Sequence, residues 1–119
     1  MIIQLRQDRD FEQLLERSKT NSVLIFKHST QCPISSQAYE EFTRFARSAG
    51  DVACGVVLVL EDRNLSAAIA ERLKVPHESP QAMVVKDGHV TWHASHWSIT
   101  TDSLVEALSS YGQPANQRD

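Results

Sequence analysis

Apolar positions along the chain fall into two periods. Phe11, Leu14 and Leu15 recur at i, i+3 and i+4 within residues 10–19, which predicts a helix with one buried face. Val23, Leu24, Ile25 and Phe26 form a β-rich run that ends in the polar loop His28-Ser29-Thr30-Gln31. Over residues 33–49 a helical period returns through Tyr39, Phe42 and Ala46, with Pro33 suited to the first turn and Gly50 to the stop. Residues 52–60 are almost continuously apolar, the pattern of a strand covered on both faces. Residues 64–73 read as a helix with Asn64 as N-cap and Leu65, Ala68, Ile69 and Arg72 in period. Two short runs, 81–85 and 90–93, flank Asp87-Gly88 and predict a hairpin. Residues 100–108 form a last helix with Leu104, Val105 and Leu108 inward. The order is a helix followed by βαβαββα. The first strand–helix–strand unit requires a parallel, right-handed crossover. The expectation is therefore an α/β domain over residues 1–111, built on a mixed four-stranded sheet with helices on both faces. A polar tail with Gly112 and Pro114 follows at 112–119.

Composition narrows the function classes. At 119 residues there is room for one domain with an ordinary core. The formal net charge is −3 with both signs scattered, and no basic block marks a nucleic-acid partner. The longest apolar stretch, residues 56–60, is far short of the ~20 residues of a membrane span, so no membrane partner is expected. The first ten residues carry two Arg and two Asp and lack the apolar core of a secretory signal, which points to a cytoplasmic protein. Two cysteines in such a chain argue against a disulfide scaffold and for a reducing compartment.

Cys32 stands out by position. It follows the first strand and immediately precedes Pro33 and a helix. The first-turn N–H groups of a helix carry roughly half a positive charge, a field that favours the nucleophilic thiolate. Ser35, three residues on, is placed to donate a hydrogen bond to the same sulfur. His28 precedes Cys32 and either helps hold the thiolate or a ligand, or makes a loop hydrogen bond. With His77, His89, His93 and His96 it invites a zinc reading, but no pair has a finger spacing and His93-x-x-His96 alone is weak, so no metal is expected. His89 reads as a solvated turn residue and Trp92 as core.

Four words in order carry a resemblance: Lys27-His28-Ser29-Thr30, Cys32-Pro33-Ile34-Ser35, His77-Glu78-Ser79-Pro80-Gln81, and Trp92-His93-Ala94-Ser95-His96-Trp97. Together they resemble the monothiol bacilliredoxins, small cytosolic thioredoxin-like proteins of the bacillithiol system, over about residues 5–111. The resemblance implies a thioredoxin-like fold and removal of bacillithiol from client-protein mixed disulfides. Cys32 is then the nucleophile, and bacillithiol is the low-molecular-weight thiol that regenerates it. It also implies a cis Ser79–Pro80 bond that sets Pro80 across the cleft from Cys32, with Ser79 backbone groups turned toward the sulfur. Ser35 stands where a dithiol enzyme has its second cysteine, so no resolving thiol is present in the motif. Thr30 and Pro33 flank the nucleophile. Ala94-Ser95-His96-Trp97 replaces the Gly-Gly of glutaredoxins, which disfavours glutathione. Lys27, His77 and His96 are then donors for the carboxylates of bacillithiol's malyl group, with Trp97 beside them.

Two other classes remain open at this level. One is a binding module holding an iron–sulfur cluster between two subunits through Cys32 and a small thiol. The other is a non-catalytic, stress-associated adaptor. Cys54, near the start of the second core strand, lies roughly 20 Å from the catalytic edge at ~3.3 Å per residue. A disulfide needs Cα atoms within about 7 Å, so Cys54 is expected to be a buried core residue and not a resolving thiol.

Overall fold

The computed structural model describes residues 1–110, and the tail expected at 112–119 lies outside the described residues. The elements are β1 (Ile2–Gln4), α1 (Asp8–Arg17), β2 (Val23–His28), α2 (Pro33–Ser48), β3 (Cys54–Leu58), α3 (Arg63–Leu73), β4 (Gln81–Lys86), β5 (His89–Ser95), a 3-10 turn (His96–Ser98) and α4 (Thr101–Ser110). The strands form one sheet in the order β1-β3-β2-β4-β5. β1 and β2 run parallel to β3, and β4 runs antiparallel to β2 and β5.

The sheet has five strands, where the sequence pattern predicts four. The additional one, β1, is three residues long with only Ile3 half-buried, too short to show an alternating period. Pairing specifies it instead: Ile2, Ile3 and Gln4 lie opposite Cys54, Gly55 and Val56, and the next residue, Leu5, is buried. The close approach is visible at Gly55, where a Cβ would meet Leu14 Cδ2 at 2.7 Å and Leu5 Cδ1 at 2.8 Å.

All six residues of β2 are buried, and their alternation divides the core. Val23 and Ile25 pack with Phe11, Leu14 and Leu15 of α1 and Leu65, Ile69 and Leu73 of α3. Leu24 and Phe26 pack with Phe42, Phe45 and Ala46 of α2 and Leu104 and Ala107 of α4. Fully burying each such side chain contributes about 1.5–3 kcal/mol, so β2 is anchored from both faces.

Helix ends depart from the sequence expectations in instructive ways. α1 begins two residues early, at Asp8, because Asp10 Oδ2 accepts the Arg6 and Gln7 N–H groups at 2.8 and 3.0 Å. In α3 the N-cap is Asp62, not Asn64, and the helix ends at a left-handed Lys74. In α4 Val105 is 47% exposed and Ala107 takes its inward place. The start of that helix is fixed by Glu41, whose Oε1 accepts the Thr101 N–H and hydroxyl at 2.6 and 2.8 Å. The hairpin turn is Asp87-Gly88 as read, both residues at positive φ (54° and 77°).

Candidate active site

The carboxyl end of β2 delivers the chain into α2 through residues 29–32. Cys32 is the N-cap of α2, in extended conformation, with Pro33 at the first helical position. The Cys32 carbonyl accepts the Ser36 N–H at 3.0 Å, and its thiol is half-buried. It opens into a depression of about 500 Å³ lined by Thr30, Gln31, Pro33, Ser36, Gln37 and Glu40. Thr30 and Pro33 thus line the same depression as Cys32.

Ser35 does something else than expected. Its hydroxyl forms no hydrogen bond with the Cys32 sulfur among the described residues. Oγ accepts the Ser29 N–H at 2.9 Å and lies 2.8 Å from His28 Nδ1. The reason is the helical phase. Ser35, Ala38 and Phe42 share the face that α2 presents to the sheet, so Ser35 is fully buried while the N-cap side chain faces out. His28 is buried as well, stacked on Tyr39 with ring centroids 4.4 Å apart and planes 8° apart. Burial lowers the His28 pKa, and the Glu61 carboxylate opposes that shift.

Lys27 is also placed differently. The resemblance makes it a donor to the ligand, yet it is 0% exposed, because β2 alternation turns it to the α1/α3 side. Its Nζ lies 3.0 Å from His77 Nδ1, which Ser66 Oγ approaches at 3.5 Å. Burial pushes the Lys27 ammonium down to about 8. His77 is lowered too, by burial and then by the Lys27 charge, with Glu78 opposing.

The register places the Pro80 loop at the same edge. Lys27 pairs with Gln81, so Pro80 lies at the level where β2 reaches His28. The Ser79–Pro80 bond is cis. The Pro80 carbonyl accepts the His96 N–H at 3.1 Å, which ties the end of β5 to this loop. His96 has positive φ (55°), and its Nε2 is 3.7 Å from Glu78 Oε1. Trp97 is 68% exposed. Ser79 Oγ and Gln81 Oε1 are buried with no hydrogen-bond partner among the described residues. His89 and His93 are exposed on β5, and no cluster of three His, Cys, Asp or Glu side chains suited to a metal exists among the described residues.

Cys54 lies at the opposite end of the sheet. It pairs with Leu24, four positions before the Leu58–His28 pair, or roughly 13 Å along the strand. It is fully buried, and burial pushes its thiol up to about 11.

Three neighbours escaped the sequence reading: Tyr39 against His28, and Ser66 and Gln81 around the Lys27–His77 pair. Tyr39 was legible as a helical position only. Gln81 was legible once the hairpin was placed in antiparallel register with β2, whereas Ser66 had no local signal.

A strand–Cys-Pro–helix turn and a cis proline at the same end of a five-stranded mixed sheet, with paired helices on each face, define a thioredoxin-like protein. Solved structures agree. One described as an oxidoreductase with a thioredoxin fold is 38% identical with a TM-score of 0.81, over 89% of this chain and 92% of that one. Thioredoxins of Fasciola hepatica (18% identity, TM-score 0.73, 90% and 96% covered) and Nicotiana alata (14%, 0.75, 94% and 93%) share the fold. The sequence profile of the monothiol bacilliredoxin BrxC matches residues 3–104, and the chain belongs to that family. Family and neighbour together support a thiol oxidoreductase.

Proposed function

We propose that the protein removes bacillithiol from protein mixed disulfides, with Cys32 as its only nucleophile. The Cys32 thiolate attacks the bacillithiol sulfur of the mixed disulfide. The S–S bond to the client breaks, the client thiolate leaves and takes a proton from water, and a new S–S bond joins Cys32 to bacillithiol. The thiolate of a second bacillithiol then attacks that adduct. It releases bacillithiol disulfide and returns Cys32 as thiolate. The observation that carries this reading is the contrast between the two thiols. Cys32 is half-exposed at a helix head, whereas Cys54 is buried at the far end of the sheet and Ser35 holds the inner position of the motif. In this reading the distant Cys54 forms no internal disulfide with Cys32, and a small thiol completes the cycle.

Ligand contacts follow from the same edge. His77, His96 and Trp97 border the Pro80 loop, and Ser79 Oγ is a buried polar atom that gains a bond from an incoming polar group. The imidazoles are donors for the malyl carboxylates, while the covered Lys27 adds charge behind His77 without touching the ligand. Bacillithiolated client proteins in the cytoplasm are the partners in this reading. Presenting the reduced protein with a bacillithiolated client and a glutathionylated one, and following Cys32 by mass spectrometry, tests it. The bacillithiol adduct should move to Cys32 faster. Equal or preferential transfer of glutathione would remove bacillithiol from the proposal.

A further inference from the structure

Ser35 Oγ has one hydrogen and two lone pairs. The Ser29 N–H occupies one lone pair at 2.9 Å. The contact to His28 Nδ1 at 2.8 Å then has two forms. With the ring hydrogen on Nε2, Nδ1 accepts the Ser35 O–H. With the hydrogen on Nδ1, the ring donates, both lone pairs are filled, and the hydroxyl hydrogen needs another acceptor. Cys32 is the N-cap of α2 and Ser35 its third helical residue, so the sulfur and the hydroxyl stand one first-turn spacing apart. The Cys32 side chain makes no capping bond in the present rotamer, so its sulfur is free to turn toward that hydroxyl.

The imidazole is held for this role. It is 7% exposed, stacked on Tyr39, and 5.9 Å from the Phe26 ring, so Nδ1 stays aimed at Ser35. The ionisable groups around it are the Tyr39 phenol on α2, Glu61 beyond β3 and, through the hydroxyl, Cys32.

We propose that His28 is a positioning residue for the exchange reaction, with the Ser35 hydroxyl shared between two acceptors. Hydrogen on Nε2 of His28 draws the hydroxyl away from Cys32, and hydrogen on Nδ1 releases it to the sulfur. The proposal rests on Cys32 being the nucleophile. A thiolate is the stronger acceptor, so its formation favours the Nδ1–H form. The tautomer change balances, because water takes the Nε2 hydrogen and returns one to Nδ1. The mixed-disulfide sulfur is neutral and a poor acceptor, so the hydroxyl swings back to His28 once Cys32 is loaded.

Nitrogen-15 spectra of His28 in the wild-type protein at pH 9 test this without a mutation. Cys32 free is expected to give the Nδ1–H tautomer, and Cys32 blocked with iodoacetamide the Nε2–H tautomer. The same tautomer in both overturns the proposal. Independently, His28→Phe keeps the ring stack and removes the acceptor. Alkylation of Cys32 at pH 6 should then rise several-fold, because the Ser35 hydroxyl no longer has to leave His28 before it reaches the thiolate. That rise should vanish in a Ser35→Ala background. An unchanged rate in His28→Phe, or an equal rise in the double variant, also overturns it. Client transfer that persists in Cys32→Ser is a different failure, that of the nucleophile assignment itself.

Discussion

The two ends of the central sheet share one backbone pairing and carry opposite chemistry. Where β2 starts, Val23 and Leu24 lie opposite Val85 and Val84, with Cys54 alongside, and every one of these side chains is buried and apolar. Where β2 finishes, Lys27 lies opposite Gln81, and His28 follows, equally buried. Burial is the same, but the second end hides a cation, an imidazole and an amide, each of which needs a partner. The first turn of α2 supplies Ser35, and the loop before β4 supplies His77 and the Pro76 carbonyl, which accepts from Gln81 Nε2 at 3.1 Å. The comparison teaches how one fold holds two thiols apart. The thiol at the apolar end is buried and its pKa raised, and the thiol at the polar end stands half-open at a helix head.

The sharpest way to break the comparison is to exchange the thiols' fates. Cys32→Ser should abolish adduct transfer while the fold remains, and Cys54→Ala should retain it. Mass mapping after one equivalent of a small disulfide should show Cys32 modified and Cys54 free. A stoichiometric Cys32–Cys54 bridge would overturn the separation of the two ends.

A stability test addresses the polar end. In the unfolded chain Lys27 keeps its proton to about 10.5, but in the folded protein it loses it near 8. The buried charge therefore penalises the folded state below pH 8, and the penalty fades as pH rises from 8 to 10.5. Depression of this size corresponds to about 3 kcal/mol. Lys27→Met should raise unfolding free energy at pH 7 by about 2 kcal/mol after loss of the His77 contact, and the gain should shrink above pH 8. Urea titrations at pH 7 and pH 10 provide the check.

At the apolar end the expected effects are steric. Gly55→Ala forces its Cβ into Leu5 and Leu14 and should cost about 1–3 kcal/mol by thermal or urea denaturation. Cys54→Ala leaves only a small void and should cost about 1 kcal/mol, with transfer unchanged.

The apolar end was readable almost residue by residue, because burial there follows period. The runs at 23–26 and 52–60 and the helical faces of α1 and α2 needed no long-range information. β1 did not show, since three residues hold no period and its pairing with β3 is a contact across about fifty residues. At the polar end the sequence marked Cys32, the proline and the histidines, but not how two side chains are held. The resemblance makes Lys27 a ligand donor, but strand parity sends it inward. Spacing pairs Ser35 with Cys32, and the phase of α2 sets its hydroxyl against His28, a contact that spacing does not show. In both cases a polar residue obeys the geometry of its element more strongly than its own preference for water.

β1 has a consequence for solubility. Its short ladder, extended by Cys54 N–H to the Met1 carbonyl at 2.9 Å and Leu5 N–H to the Val56 carbonyl at 2.8 Å, occupies the outer side of β3. The strand beneath is Cys54-Gly55-Val56-Val57-Leu58, uncharged and rich in β-branched residues, the composition that adds strands from other molecules when its edge lies open. A segment of a few residues thereby acts as a guard strand, covering an apolar edge that would otherwise be open to pairing with copies of itself.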